Sequence, residues 1–193
     1  MPWVEPGSRA LTESEMQENA KMIYGVFSSL GWSLNSICGM LGNFQTESSI
    51  NPTRWQGDIA GEGGGGGYGL AQWTPWTKLQ GYANAIGGNW QTGDTQCRVI
   101  EYNINNGQEY YATTNYPLSG ANFRSSNESP EYLAYAFMYN YERPADLNQP
   151  WRQTYARQWY NYLSGITPPE PPGPPTPTNQ KRRPDFPWFL FMR

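Results

Sequence analysis

Glu47 is the residue whose type and placement best suit acid–base chemistry. It stands in the segment Leu41-Gly42-Asn43-Phe44-Gln45-Thr46-Glu47-Ser48-Ser49-Ile50-Asn51-Pro52, three positions after Phe44 and seven after Met40. At helical spacing it therefore shares the apolar face of a helix that Asn51-Pro52 must end. A carboxyl placed there is expected to be partly desolvated, which favours its neutral, proton-donating form. The negative end of the helix dipole would act in the same direction. The plainer alternative is a solvated glutamate at a frayed helix end.

A second segment, Gly67-Tyr68-Gly69-Leu70-Ala71-Gln72-Trp73-Thr74, joins small residues, an amide and aromatic rings. Amides and hydroxyls suit sugar hydroxyls, and aromatic faces suit the apolar side of pyranose rings. The same composition also suits a turn followed by core aromatics. With 9 Trp, 14 Tyr and 7 Phe, aromatic side chains make 16% of the chain and can carry a core in which only 37% of residues are hydrophobic. Histidine is absent and cysteine occurs twice. That removes Ser-His-Asp and Cys-His catalysis and the usual zinc sites, so no metal and no cofactor is expected. Carboxyl chemistry is left in front. The net charge of −3 gives no basic surface for nucleic acid. Five consecutive glycines at 63–67 lack a following Gly-Lys-Ser/Thr, which argues against a phosphate loop.

The elements that must position these residues follow from spacing. Thr12 and Glu15 form a capping box ahead of Met16, Ala20, Ile23, Phe27 and Leu30, with Gly31 at the far end. Ser33 caps a second helix that runs to about Glu47. Further helices are predicted at 76–86, 94–106 (with Asp94 as cap), 130–141 and 150–163, with Pro130 and Pro150 in the first turns of the last two. Residues 51–73 read as loop, and 107–129 receive no assignment. Cys38 and Cys97 fall on apolar faces and read as buried free thiols. The organisation expected is a lead-in at 1–11, a domain at 12–166, a proline-rich linker at 167–180 and a basic, apolar tail at 181–193. Seven of the ten residues Pro168–Pro177 are proline, the composition of an extended spacer.

Asn43–Pro52, Gly67–Thr74 and Tyr139-Asn140-Tyr141-Glu142-Arg143-Pro144-Ala145 together resemble the three signature segments of the phage tail lysozyme family, in order, over about residues 10–165. More distantly they are similar to lytic transglycosylases and goose-type lysozymes. The resemblance implies a mostly α (α+β), lysozyme-like fold with a small β-hairpin or loop element beside the substrate cleft. It implies cleavage of the β-1,4 bond between N-acetylmuramic acid and N-acetylglucosamine in peptidoglycan. Glu47 matches the catalytic acid, Gln72 the amide facing the substrate, and Tyr141 an aromatic hydroxyl near the acid. Tyr68 and Trp73 join Gln72 as substrate-binding candidates, and Glu142 with Arg143 reads as structural.

A glycosidase commonly uses a second carboxylate, about 5–5.5 Å from the acid when retaining and about 6.5–9.5 Å when inverting. Asp58 is the expected second catalytic group, with Glu62 the alternative, and a substrate-assisted route would need neither. Two competing readings stand beside hydrolysis: a lytic transglycosylase giving 1,6-anhydro products, and a silent tail or wall-binding protein on the same scaffold. The N-terminus lacks a signal-peptide pattern. The expected location is the virion tail tip, acting on the host wall, and the expected partners are glycan strands and tail knob proteins. The tail, with Lys181, Arg182, Arg183 and the apolar run from Phe186, is expected to dock to tail proteins first and to a membrane surface second. Such lysins often carry a second, peptide-cutting zinc domain, and after the linker only this short tail follows, so a single activity is expected.

Overall fold

The computed structural model of the chain describes residues 2–58 and 66–171. Glu62, most of the glycine run, most of the linker and the tail at 181–193 lie outside the described residues. Among the described residues seven α-helices form in order: α1 Glu13–Ser29, α2 Leu34–Ser48, α3 Thr77–Ala85, α4 Gly93–Asn105, α5 Gly120–Arg124, α6 Pro130–Phe137 and α7 Trp151–Leu163. The described chain is mostly α. Its β pairing is limited to two isolated antiparallel bridges, Trp55 with Tyr68 and Tyr68 with Trp73.

Local chemistry sets the helix starts. Thr12 and Glu15 form the capping box of α1, and the helix closes with Gly31 N–H donating to Ser28 and Trp32 N–H to Phe27. Ser33 Oγ accepts from Ser36 N–H at 3.1 Å to start α2. Thr92, and not Asp94, caps α4; Asp94 lies inside the first turn and pairs with Arg98 at 2.8 Å. Pro130 takes the first turn of α6 behind the Ser129 cap, whereas Pro150 sits one place earlier, at the N-cap of α7. The segment 107–129 is irregular apart from the short α5.

Helix α2 runs through the middle of the domain. Ser36 to Phe44 is an unbroken buried stretch, so the helix is covered all round instead of showing one wet face. It packs against α6 and α7. Small residues let them close in. A Cβ on Gly39 would lie 2.8 Å from the Leu133 carbonyl carbon of α6, and one on Gly42 would collide with the Arg152 carbonyl oxygen of α7. Around this helix the core holds Ile23, Phe27, Ile37, Met40, Leu41, Phe44 and Phe137, all fully buried. Cys38 and Cys97 are free and buried, as their positions suggested, and burial pushes both thiols up.

The aromatic residues divide between core and loop. Trp55, Tyr68, Trp76 and Trp90 form one cluster, with Tyr68 4.6 Å from Trp55 and 4.8 Å from Trp90 between ring centroids. The lead-in is irregular in backbone but pinned. Asn19 Nδ2 donates to Val4 O and Ile50 O, and Asn51 Nδ2 donates to Gly7 O and Arg9 O. These bonds tie the N-terminal segment to the end of α2, where Glu47 stands.

Gly42→Ala is expected to destabilise the domain by about 1–3 kcal/mol or more, because the added methyl forces α2 and α7 apart. Ala substitution at an exposed helical glycine such as Gly81, where nothing stands within 4 Å, should be neutral to stabilising. Urea unfolding midpoints of the two variants check this.

Candidate active site

Glu47 lies in the last turn of α2, and what surrounds its carboxylate is a buried cation. Arg152 of α7 donates from a terminal nitrogen to Glu47 Oε1 at 2.5 Å. The arginine side chain is 2% exposed and the glutamate 21%. The other two nitrogens of Arg152 are bonded as well. Its other terminal nitrogen reaches Asn43 Oδ1 at 2.7 Å, and Nε reaches Gln149 Oε1 at 2.8 Å. Asn43 is itself fully buried and donates to Gly39 O and Ala134 O, both at 2.9 Å. Glu47 is partly desolvated and held by an ion pair, with enough exposure left to meet a ligand.

The backbone turns sharply after Glu47. Ser49 and Ile50 both have φ of 55°, and Ile50, β-branched and fully buried, is an uncommon occupant of that region. Hydrogen bonds fix the turn. Ser48 Oγ donates to Leu70 O at 3.0 Å, and Asn19 donates to Ile50 O. From the other side, Gln96 of α4 accepts from Leu70 N–H at 2.9 Å and donates to Pro52 O at 2.7 Å. Gly69, at φ +80°, lies so close to Gln96 that a Cβ would fall 2.5 Å from its Oε1. The 67–74 segment is therefore clamped against the end of α2.

Two clefts meet at Glu47. One, of about 210 Å³, is lined by Glu47, Gln72, Trp73, Tyr141, Glu142 and Arg143 among others. The second, of about 250 Å³, is lined by Glu47, Arg54, Trp55, Gln56, Gln72 and Thr74 among others. Glu47, Gln72 and Thr74 belong to both. The result is an open groove that passes the carboxylate on two sides.

The structure brings Glu47, Gln72, Trp73 and Tyr141 to this groove. Gln72, at φ 44°, uses its amide Nε2 on Arg54 O and Gly69 O, each at 3.0 Å. Trp73 donates its indole N–H to the Tyr141 hydroxyl at 3.1 Å, and Asn103 donates to the same oxygen at 3.0 Å. Tyr141 stacks on Phe137 at 4.7 Å, and burial raises its phenol well above the ordinary value. Tyr68 and Asp58 stand elsewhere. Tyr68 lines a different depression, with Glu5, Thr53, Trp55 and Thr92. Asp58, 47% exposed, makes a two-point pair with Arg54 at 2.8 and 3.2 Å and lines neither cleft. The Arg54 guanidinium holds its carboxyl below the usual range.

The third signature segment departs from a plain helix. After α6 the chain widens into a π-helical turn, Met138–Glu142, which ends at Arg143 with φ 50°. Arg143 points to Glu109 (3.1 Å) and to the carbonyls of Glu109 and Asn140. It forms a structural clamp, as expected, but its ion-pair partner is Glu109, not Glu142. Glu142 turns into the cleft beside Glu47. Its Oε1 is buried and takes no hydrogen bond from any described residue. Burial, and then the nearby charge of Glu47, push this carboxyl well above the ordinary range, against the pull of Arg152 and Arg143.

Sequence reasoning missed Arg152 and Asn43. The signal for Arg152 was present: with Ala156, Trp159 and Leu163 it forms the buried stripe of α7, at spacings of four, three and four. An arginine on such a stripe needs buried acceptors, and Glu47 and Asn43 lie one turn apart on the neighbouring helix. Glu142 gave no such signal, because its direction depends on the π turn.

Fold and site together define a mostly helical domain with a carboxyl-lined open groove. Residues 18–163 match the phage tail lysozyme family, and the chain belongs to it. It is also similar to "Morphogenesis protein 1" of Bacillus phage B103, 40% identical over 155 residues, covering 80% of this chain and 42% of that protein. The chain thus spans less than half the length of this relative.

Two stability predictions follow from the site. Arg152→Met should destabilise the fold by about 3–5 kcal/mol, since it leaves buried acceptors without their donor. Glu47→Gln should cost less, because its oxygen still accepts from Arg152, although the buried guanidinium loses its counter-charge. Separately, a carboxyl raised in the fold contributes stability below its unfolded pKa of about 4.3, and that contribution is lost as pH rises toward its folded value. The stability of the wild type should therefore fall with rising pH relative to Glu142→Gln, read as the difference in melting temperature across pH 4–8.

Proposed function

We propose that the chain is a peptidoglycan glycoside hydrolase of a phage tail, cutting the β-1,4 bond between N-acetylmuramic acid and N-acetylglucosamine on a lysozyme-like fold. One observation carries the reading: Glu47 stands at the junction of two clefts and not at the end of one. A polymer cut internally must extend past the acid in both directions, and this groove provides that path. The lining is rich in polar groups with Trp55 and Trp73 among them, which suits sugar rings.

In this reading Glu47 is the general acid. It protonates the glycosidic oxygen as the bond to the anomeric carbon breaks, and water supplies the new hydroxyl. Arg152 fixes the carboxyl against the wall of the groove, so that its reaction geometry is set before the substrate arrives. Gln72, itself held by Arg54 O and Gly69 O, orients the sugar beside the acid. The bridged residues Trp55, Tyr68 and Trp73 serve as the small β element beside the cleft. Asp58 enters as second carboxylate only if the Arg54 pair opens on binding. Placement in the virion, at a tail that crosses the host wall, is supported by the family and by the phage relative. Tail proteins are the proposed anchoring partners. No helix among the described residues is long and apolar enough to cross a membrane.

Glu47→Gln is expected to lower the rate on purified cell walls by about 10²–10⁴-fold with the fold intact. Gln72→Ala should cost less, about 0.5–1.5 kcal/mol for one neutral hydrogen bond. Undiminished turnover in Asp58→Asn would remove that residue from the chemistry. Mass spectrometry of the released muropeptides checks the reaction itself: reducing ends are expected, anhydro ends would make the enzyme a transglycosylase, and no products would make the domain a binding protein.

A further inference from the structure

Glu142 is a carboxyl of the groove whose buried oxygen no structural role explains. Its neighbour Arg143 is committed to Glu109, which also meets Lys78 at 3.7 Å, so the cations on that side are taken. Its Oε1 is buried, has no hydrogen-bond partner among the described residues, and belongs to a side chain that lines the same cleft as Glu47. A buried polar atom without a partner is costly and is retained where it serves a purpose. The π turn that ends at Glu142 is what delivers it there, and such turns recur at functional sites.

Resting on the assignment of Glu47 as general acid, we propose that Glu142 is a proton-holding partner of Glu47, so that the two carboxyls carry one proton between them opposite Arg152. The need for it is electrostatic. A general acid must carry a proton, and the Glu47 carboxyl has a full positive charge hydrogen-bonded to its Oε1. Glu142 lines the same cleft, where burial and then the charge of Glu47 disfavour its ionised form, so a proton is held at this carboxyl. The charged and titratable groups around it are Glu47 on α2, Arg152 on α7, Lys78 on α3, Glu109 after α4, and Tyr141 and Arg143 beside it on the same turn.

The proton accounting is closed. The proton on Glu142 passes to the Glu47 carboxylate as substrate binds, leaving Glu142 ionised. Glu47 then gives it to the leaving glycosidic oxygen as the anomeric C–O bond breaks. Water adds its oxygen to the anomeric carbon, and its released proton returns to the carboxyl pair. No oxidant, metal or further reactant is required.

The experiment is the pH profile of kcat on purified peptidoglycan for the wild type, Glu142→Gln, Glu142→Asp and Glu47→Gln, with circular dichroism confirming each fold. Activity that needs the proton is present at low pH and lost as pH rises through the apparent pKa of the pair. Removing Glu142 leaves Glu47 alone with Arg152, so the alkaline limb of Glu142→Gln should move down by about one pH unit or more, with neutral activity about tenfold lower and acid activity kept. Glu142→Asp, which restores a titrating group, should move the limb back toward the wild type. A Glu142→Gln limb that stays in place, whether kcat is unchanged or lowered evenly, overturns the proposal and makes Glu142 structural. Activity retained in Glu47→Gln is a different failure, since it removes the general acid itself.

Discussion

A single buried cation organises this domain. Arg152 lies 2% exposed between α2 and α7, and its burial is tolerable only because Asn43, Gln149 and Glu47 all turn acceptors toward it. Those acceptors bring further commitments. Asn43 is locked to α6 through Ala134 O, and the helices approach closely enough only because Gly39 and Gly42 leave room. Three helices are thereby fixed around one guanidinium. The carboxylate that would do chemistry inherits their rigidity and does not depend on a loop to hold it.

The same cation sets the electrostatics of the groove. Arg152 is paired with Glu47, Glu142 lines the same cleft, and a second cation, Arg143, is drawn away to Glu109. Burial and then the charge of Glu47 push the Glu142 carboxyl above its ordinary range, while Arg152 stays paired with Glu47.

Much of this frame could be read from the residues, and the remainder has identifiable causes. Thr12 with Glu15, Ser33, and the apolar spacing of α1 and α2 depend on neighbours a few positions apart, so local rules found them. Glu47 was visible because its helix face and the break at Asn51-Pro52 are local too. The cap of α4 moved from Asp94 to Thr92, a choice decided by which side chain reaches Thr95 N–H. Arg152 meets Glu47 across 105 residues of chain, and no spacing rule reports such a contact. The π turn that rotates Glu142 into the cleft is fixed by packing of the 107–116 segment on Asn140, which accepts from Thr113 N–H and donates to the Tyr110 hydroxyl and to Tyr116 O.

Strain is concentrated where the groove is built. Ser49, Ile50 and Gln72 are three of the five non-glycine residues with positive φ among the described residues, and all three stand beside Glu47 in the chain or in the cleft. Such conformations cost on the order of 1–3 kcal/mol each and persist only when their surroundings over-determine them. Here the determinants are specific: Asn19 holds Ile50 O, Ser48 holds Leu70 O, and Gln96 spans Leu70 and Pro52. Each of these polar residues is buried; Ser48 and Gln96 join the end of α2 to the segment that carries Gln72, and Asn19 ties it to α1. The helical core tolerates that strain, and the groove gains a wall that is formed before any ligand enters it.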